Sequence, residues 1–278
     1  MVCAGGASPL VAQPAPADLA SILARAGQAI EIHFSQARQI LSSEEVWVRQ
    51  SGADRRLLGG PVRMVYDRRI EWDAGVGADS QAPSARVLRE LIEVNGRAPT
   101  DRDIDRCVQA ISEAEDPLVI LLPSQQGDYS FALESVDTVD GRAVAKLSYE
   151  PRVPEESNIQ VDGDCMLLAH PTVGDVWIDV DLGHVVRLDE RLPGQIDYRR
   201  PPDRALLASE RFTLERSDKT TRYEAVTFQD PEETVMMPVQ MSSLSVIRGG
   251  GLVPRIQFLH RFSNYRRFLG EGRLVVPP

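Results

Sequence analysis

Hydrophobic and polar residues alternate along most of this chain. Val176, Ile178 and Val180 interleave with Trp177, Asp179 and Asp181, the period of two that a strand imposes. Residues 179–183 carry turn chemistry. Asp181 can bond its own backbone, and Gly183 can take the left-handed conformation that closes a hairpin. The return strand starts at His184, with Val186, Leu188 and Leu192 on one face and Arg187, Asp189 and Arg191 on the other. Residues 174–192 therefore predict a hairpin at the centre of an antiparallel sheet.

The same alternation predicts strands at 44–50, where Val46 and Val48 lie opposite Trp47, at 62–72 and at 87–94, the last ending in an Asn95-Gly96 turn. Three more hairpins are expected. They pair 129–136 with 142–150 across Asp140-Gly141, 206–216 with 220–228 across Ser217-Asp218, and 235–248 with 252–262 across Gly249–Gly251. The apolar run Leu118–Leu122, following Pro117, predicts a buried strand. Residues 151–173 are polar and turn-rich, either a lid over a cavity mouth or a disordered insertion.

The period changes to 3.6 at two places. Leu19, Ile22, Leu23, Ala26, Ile30, Phe34, Ala37 and Leu41 recur at steps of three and four, predicting a helix over 18–41 with Asp18 as N-cap. Thr100 and Asp103 form a near capping box ahead of Ile104, Cys107, Val108 and Ile111, predicting a second helix. About ten strands with no βαβ alternation argue against a parallel sheet. The expected fold is mainly β (α+β): a strongly curved antiparallel sheet, an incomplete barrel, with two helices on its concave side.

Charge narrows the partners. Lys and Arg number 31 against 41 Asp and Glu, a net −10, which disfavours nucleic acid. From Arg199 onward 13 basic residues face 9 acidic ones, so the negative excess lies earlier in the chain. Residues 2–12 are small and apolar and resemble the back half of a secretory signal peptide, with cleavage expected after Ala12; a disordered Ala/Gly/Pro tail is the alternative. The division expected is 1–13 as remnant or tail and 14–278 as a single domain. No run approaches the roughly 18 apolar residues of a membrane span. In an exported chain, Cys107 and Cys165 either pair or remain buried thiols.

Candidate chemistry is sparse. His33, His170, His184 and His260 show no metal-ligand spacing, and each reads as structural. No G-x-S-x-G elbow occurs. Asp162-Gly163-Asp164 and the Asp179/Asp181 pair read as turns, and Gly249–Gly251 as a hairpin tip. No catalytic group, metal or cofactor is expected.

The run Val176–Asp179, the turn at Gly183, and Val185 and Arg187 after it resemble the hairpin of exported bacterial proteins of the LolA/LolB lipoprotein-carrier superfamily, which includes RseB-like sensors. Uncharacterised exported proteins with this hairpin also share a long first helix, a strand start like Ser42–Trp47 and an ending like Phe262–Phe268. The resemblance implies an open barrel around an apolar cavity, a periplasmic location and no enzymatic activity. It implies a carrier or binding protein for a lipid or lipoprotein acyl chain, with Trp47, Met64, Tyr66, Trp177, Met236 and Met241 as candidate cavity lining. The alternative is a protein-interaction or sensor module with a filled core, using Tyr265, Arg266 and Arg267 as its partner surface.

Overall fold

Asp18 caps the first helix as its sequence position predicts: its Oδ1 accepts the Ser21 N–H at 2.8 Å. Helix α1 runs from Leu19 to Gln36, about 27 Å at 1.5 Å per residue. It ends earlier than the apolar period predicts, because Leu41 already belongs to strand β1 (Gln39–Ser51). The computed structural model describes residues 18–37, 39–52, 54, 56–73, 84–101, 103, 113–153, 156–162, 165–199, 211–229, 232–249 and 254–267.

After β1 come β2 (Val62–Asp73), β3 (Ser84–Val94), β4 (Glu113–Glu115), β5 (Tyr129–Val139), β6 (Arg142–Pro151), β7 (Asn158–Asp162), β8 (Cys165–Ala169), β9 (Val173–Asp179), β10 (Val185–Arg191), β11 (Ile196–Arg199), β12 (Arg211–Phe228), β13 (Glu233–Arg248) and β14 (Arg255–Arg267). Twelve form one sheet in the order β4-β3-β2-β1-β14-β13-β12-β10-β9-β6-β5, with β11 also on β12. Every pairing is antiparallel, and the first strand lies beside the last. The sheet does not close into a barrel. The β9–β10 hairpin is interior, between β6 and β12, but the centre of the sheet falls at β13.

The core lies on the face that carries α1, called the inner face below. Ile22, Ala26, Ile30 and Phe34 pack onto Leu147, Val176, Ile178, Val185 and Leu188. Each such side chain contributes roughly 1.5–3 kcal/mol on burial. At its far end α1 reaches β2, where Phe34 meets Trp72 edge-on with ring centroids 5.0 Å apart.

Several expectations need correction. Residues 117–121 form a 3-10 turn rather than a strand, with Asp116 Oδ1 accepting the Leu118 N–H at 2.9 Å. A continuous apolar run is compatible with either, because it carries no period. Among the described residues there is one α-helix, not two, and this buried turn is the second element packed on α1. The helix expected after Thr100 lies outside the described residues, although Asp103 Oδ2 does accept the Thr100 N–H at 2.7 Å. The cleavage region and Cys107 are also outside them.

Ser217-Asp218 is not a turn. Strand β12 runs straight through it, pairing Ser217 with Ser245 and Asp218 with Leu244. Residues 151–173 are not one loop: β7 and β8 pair as a separate two-stranded sheet. Ile159 and Leu168 pack there against Tyr198 and Phe212, and Tyr198 donates to the Ala169 carbonyl at 2.8 Å.

The β9–β10 turn closes differently from expectation. Asp179 Oδ1, not Asp181, accepts the N–H groups of Asp181 and Leu182 at 3.0 and 2.9 Å. A bulge between Val185 and Arg187 then turns Val185 inward with Leu188 and leaves Val186 half-buried. Gly183 has the expected positive φ of 71°, and its tip presses on α1: a Cβ there would stand 2.5 Å from the Arg25 carbonyl oxygen.

Gly141 has a similar φ of 78° with open space around it, so the two glycines separate strain from contact. Gly141→Ala is expected to cost about 1–2 kcal/mol for the left-handed conformation. Gly183→Ala is expected to cost a further 1–3 kcal/mol or so, as overpacking does. Urea denaturation of both variants measures the difference.

Candidate functional site

One row of inner-face residues crosses nine strands: Leu147, Val176, Leu188, Thr221, Met241, His260, Val46, Met64 and Val94. Over its first three members this row lies in the core beneath α1. Beyond Met241 its character changes. There β1 places Ile40, Ser42, Glu44 and Val46 on the inner face by simple alternation, so a serine and a glutamate stand where strand geometry points toward the interior.

Glu44 has no solvent exposure at all. Its Oε1 accepts from Arg89 Nη2 of β3 at 2.6 Å and from His260 Nδ1 of β14 at 2.6 Å. Arg68 of β2 stands between these strands, its guanidinium 5.0 Å from the centre of the Phe262 ring. Burial alone would raise the Glu44 carboxyl. The hydrogen bond from His260 and the charges of Arg89 and Arg68 outweigh it and hold the group below its ordinary value. Burial pulls the Arg68 guanidinium the other way, below its ordinary range.

The cluster is incompletely satisfied. Among the described residues, Glu44 Oε2, Ser42 Oγ, Arg89 Nε and both Nε and Nη1 of Arg68 are out of contact with solvent and have no hydrogen-bond partner. Two guanidiniums face one carboxylate. A cavity of about 580 Å3 adjoins the same strands; its lining takes in Ser42, Arg68, Val87 and Arg89, and also Leu41, Asp67, Arg69, Leu88, Glu90 and Arg266, which strand alternation places on the opposite face. Among the described residues no group of three or more His, Cys, Asp or Glu is placed to hold a metal. Nor is any described helix long and apolar enough to cross a membrane.

The six residues expected to line a cavity do not converge. Met64, Tyr66 and Met241 gather around the cluster. Tyr66 is paired with Glu44 across the strands, lies 5.9 Å from the Arg89 guanidinium, and donates to Met64 Sδ. Met236 lies apart, beside α1, at a void of only about 40 Å3 that His33 and His184 also line. Trp47 and Trp177 are on the opposite face. Trp177 is flanked by Lys146 and Arg187 at 5.4 and 4.5 Å. Trp47 borders an open groove of about 510 Å3 with Leu244, Leu259 and Arg261.

The expected partner residues also separate. The Tyr265 hydroxyl donates to the Pro238 carbonyl. Arg267 donates to the Gln36 carbonyl at 3.1 Å and to Glu233 at 2.5 Å. These two bridge β14 to β13, whose direct pairing stops at Arg261. Arg266 is exposed and lines the 580 Å3 cavity.

Sequence reading missed Glu44, Arg68, Arg89 and His260. The available signal was parity: Glu44 sits between Ile40 and Val46, Arg68 between Tyr66 and Ile70, and His260 between Phe258 and Phe262, each at an inward position of its strand.

No family model matches the chain, and no curated protein does. Several solved structures are similar to it over most of the chain. A DUF1329 family protein from Desulfovibrio piger is 11% identical, with a TM-score of 0.40 over 91% of this chain and 95% of that one. A LolA superfamily protein from Nitrosomonas europaea is 15% identical, with a TM-score of 0.31 over 91% and 94%. A domain described as an outer membrane lipoprotein-sorting protein, from Vibrio parahaemolyticus, is 12% identical, with a TM-score of 0.35 over 90% and 93%. At TM-scores below 0.5 the functional reading has to stand on this chain's own geometry.

Glu44→Gln is expected to lower stability by about 3–5 kcal/mol, the usual cost of stripping a buried charge of its partner. Because the folded carboxyl titrates below its ordinary value of 4.5, its contribution is present above pH 4.5 and lost as pH falls further. The gap between wild type and variant should therefore be full at neutral pH and close in acid. Denaturation midpoints across that range check it.

Proposed function

We propose that this chain is an exported, non-catalytic binding protein for an amphiphile, a lipid or a lipoprotein acyl chain. One observation carries the reading. Over β1, β2, β3 and β14, largely on the face opposite α1, lies a cavity of about 580 Å3 whose lining combines Leu41, Val87 and Leu88 with Asp67, Arg69, Glu90 and Arg266. That volume falls within the ordinary range for small-ligand sites, and the lining sets three aliphatic side chains among charged ones, as an amphiphile requires. Burying hydrocarbon yields about 0.8 kcal/mol per CH₂. A chain of a dozen carbons would supply roughly 10 kcal/mol gross before the costs of association, enough for carriage without any reaction. Export and a periplasmic location are supported by the resemblance of residues 2–12 to a signal peptide and of the β9–β10 hairpin to exported carriers.

A second reading, a protein-interaction module, is favoured by a different observation. Beneath α1 the sheet is filled, and the space left near Met236 is about 40 Å3, too little for an acyl chain. In that reading Arg266 and the groove beside Trp47 would face a protein partner.

Native mass spectrometry of protein purified from a bacterial periplasm, followed by organic extraction, separates the two. An added mass that extracts as lipid is the expected result. A clean apo mass, with no uptake of a fluorescent acyl probe, would favour the interaction module.

A further inference from the structure

Among the described residues the large sheet ends at β4 on one side and at β5 on the other, and the two edges are built differently. Natural sheets blunt their edges with short strands, lysines or prolines. Strand β4 is three residues long. Strand β5 runs for eleven, Tyr129 to Val139, and contains neither lysine nor proline.

The two faces of β5 differ in chemistry. Leu133 and Val136 pair with Leu147 and Ala145, which are wholly buried in the core. A bulge between Leu133 and Ser135 keeps both on the inner face although they stand three residues apart. Yet Leu133 is 36% exposed and Val136 46%. The aliphatic core thus runs out to the edge and ends there uncovered. On the outer face stand Glu134 and Asp137, both exposed, which accept from Ser148 Oγ at 2.7 Å and from Ser135 Oγ at 2.8 Å. The cations of β6 reach the other way: Lys146 and Arg142 lie 3.4 and 3.5 Å from Asp175 and Asp179 of β9. The edge is therefore aliphatic on one face and acidic on the other.

We propose that β5 is a docking edge, where an extended segment of a protein partner with alternating aliphatic and basic side chains adds as a further strand. In such additions main-chain hydrogen bonds give affinity and alternate side chains give specificity. The aliphatic residues of the segment cover Leu133 and Val136, and its lysines or arginines face Glu134 and Asp137. A second copy of this chain fits less well. Paired with itself, β5 brings two acidic strips together with no cation between them, and like charges across a strand pair are destabilising. The proposal does not depend on what occupies the cavity.

The test uses the full chain and three labelled peptides, followed by fluorescence anisotropy and by hydrogen exchange. One peptide alternates valine and lysine, one alternates valine and glutamate, and the third is the first with its peptide nitrogens methylated, which keeps the charge and removes the main-chain donors. The valine/lysine peptide is expected to bind about tenfold more tightly than either control, and to slow exchange at the β5 amides. Val136→Lys, a protective change of the kind natural edges carry, should abolish binding and leave the thermal midpoint in place, because the side chain is already exposed. Changing Glu134→Lys and Asp137→Lys together should reverse the preference toward the valine/glutamate peptide.

Equal binding of the methylated peptide, or protection outside β5, would show charge attraction without strand addition and overturn the proposal. So would equal binding of the valine/glutamate peptide, or no binding at all. Protection of β5 that rises with protein concentration in the absence of peptide would assign the edge to a second copy and overturn the proposed partner. If Val136→Lys fails to fold, the charge-reversed variant decides: an unreversed preference overturns the proposal.

Discussion

Among the described residues, a sheet of twelve strands presents more inner face than the one helix of eighteen residues covers. Most of the structure follows from how that mismatch is resolved. Helix α1 and the 3-10 turn at residues 117–121 close the half built from β6, β9, β10 and part of β12 with Leu, Ile and Val side chains. The tip of the β9–β10 hairpin meets the helix backbone at Gly183, which fixes where the helix lies. Over β1, β2, β3 and β14 the inner face carries arginine, glutamate and histidine instead. The same strand alternation thus builds a dry core at one end and a charged, incompletely satisfied surface at the other.

Those two halves have different functional consequences. A filled core stabilises the fold but offers a ligand nothing. Buried donors that lack acceptors among the described residues weaken the fold, a departure from the local rules of stability of the kind functional sites show. Glu44 keeps this departure tolerable. By accepting from both Arg89 and His260 it offsets one of the two guanidiniums.

Much of the fold was legible in the sequence because its signals are local. Asn95-Gly96 and Asp140-Gly141 take the positive φ values that hairpin turns demand, Asp18 caps the helix, and Val176 and Ile178 alternate with Trp177 as the buried pattern of β9 requires. What was not legible depends on partners distant in sequence. Ser217-Asp218 looks like a turn until a sixteen-residue β13 lies beside it. The bulge at Val186 reverses a face assignment that strict alternation would make. The site was missed for a related reason: Arg68 and Arg89 lie on strands rich in charge, where an arginine ordinarily reads as solvated. Only the register, which places Arg68 beside Ser42 and also beside Arg89, brings them to one place.

The central claim is that the cavity over β1, β2, β3 and β14 is a binding site and the aliphatic half of the inner face is not. A crystal structure of the protein with a bound fatty acid tests it most directly. The account predicts the chain in the 580 Å3 cavity, against Leu41 and Leu88. A fatty acid lying in the groove beside Trp47, with the 580 Å3 cavity left unoccupied, would contradict it.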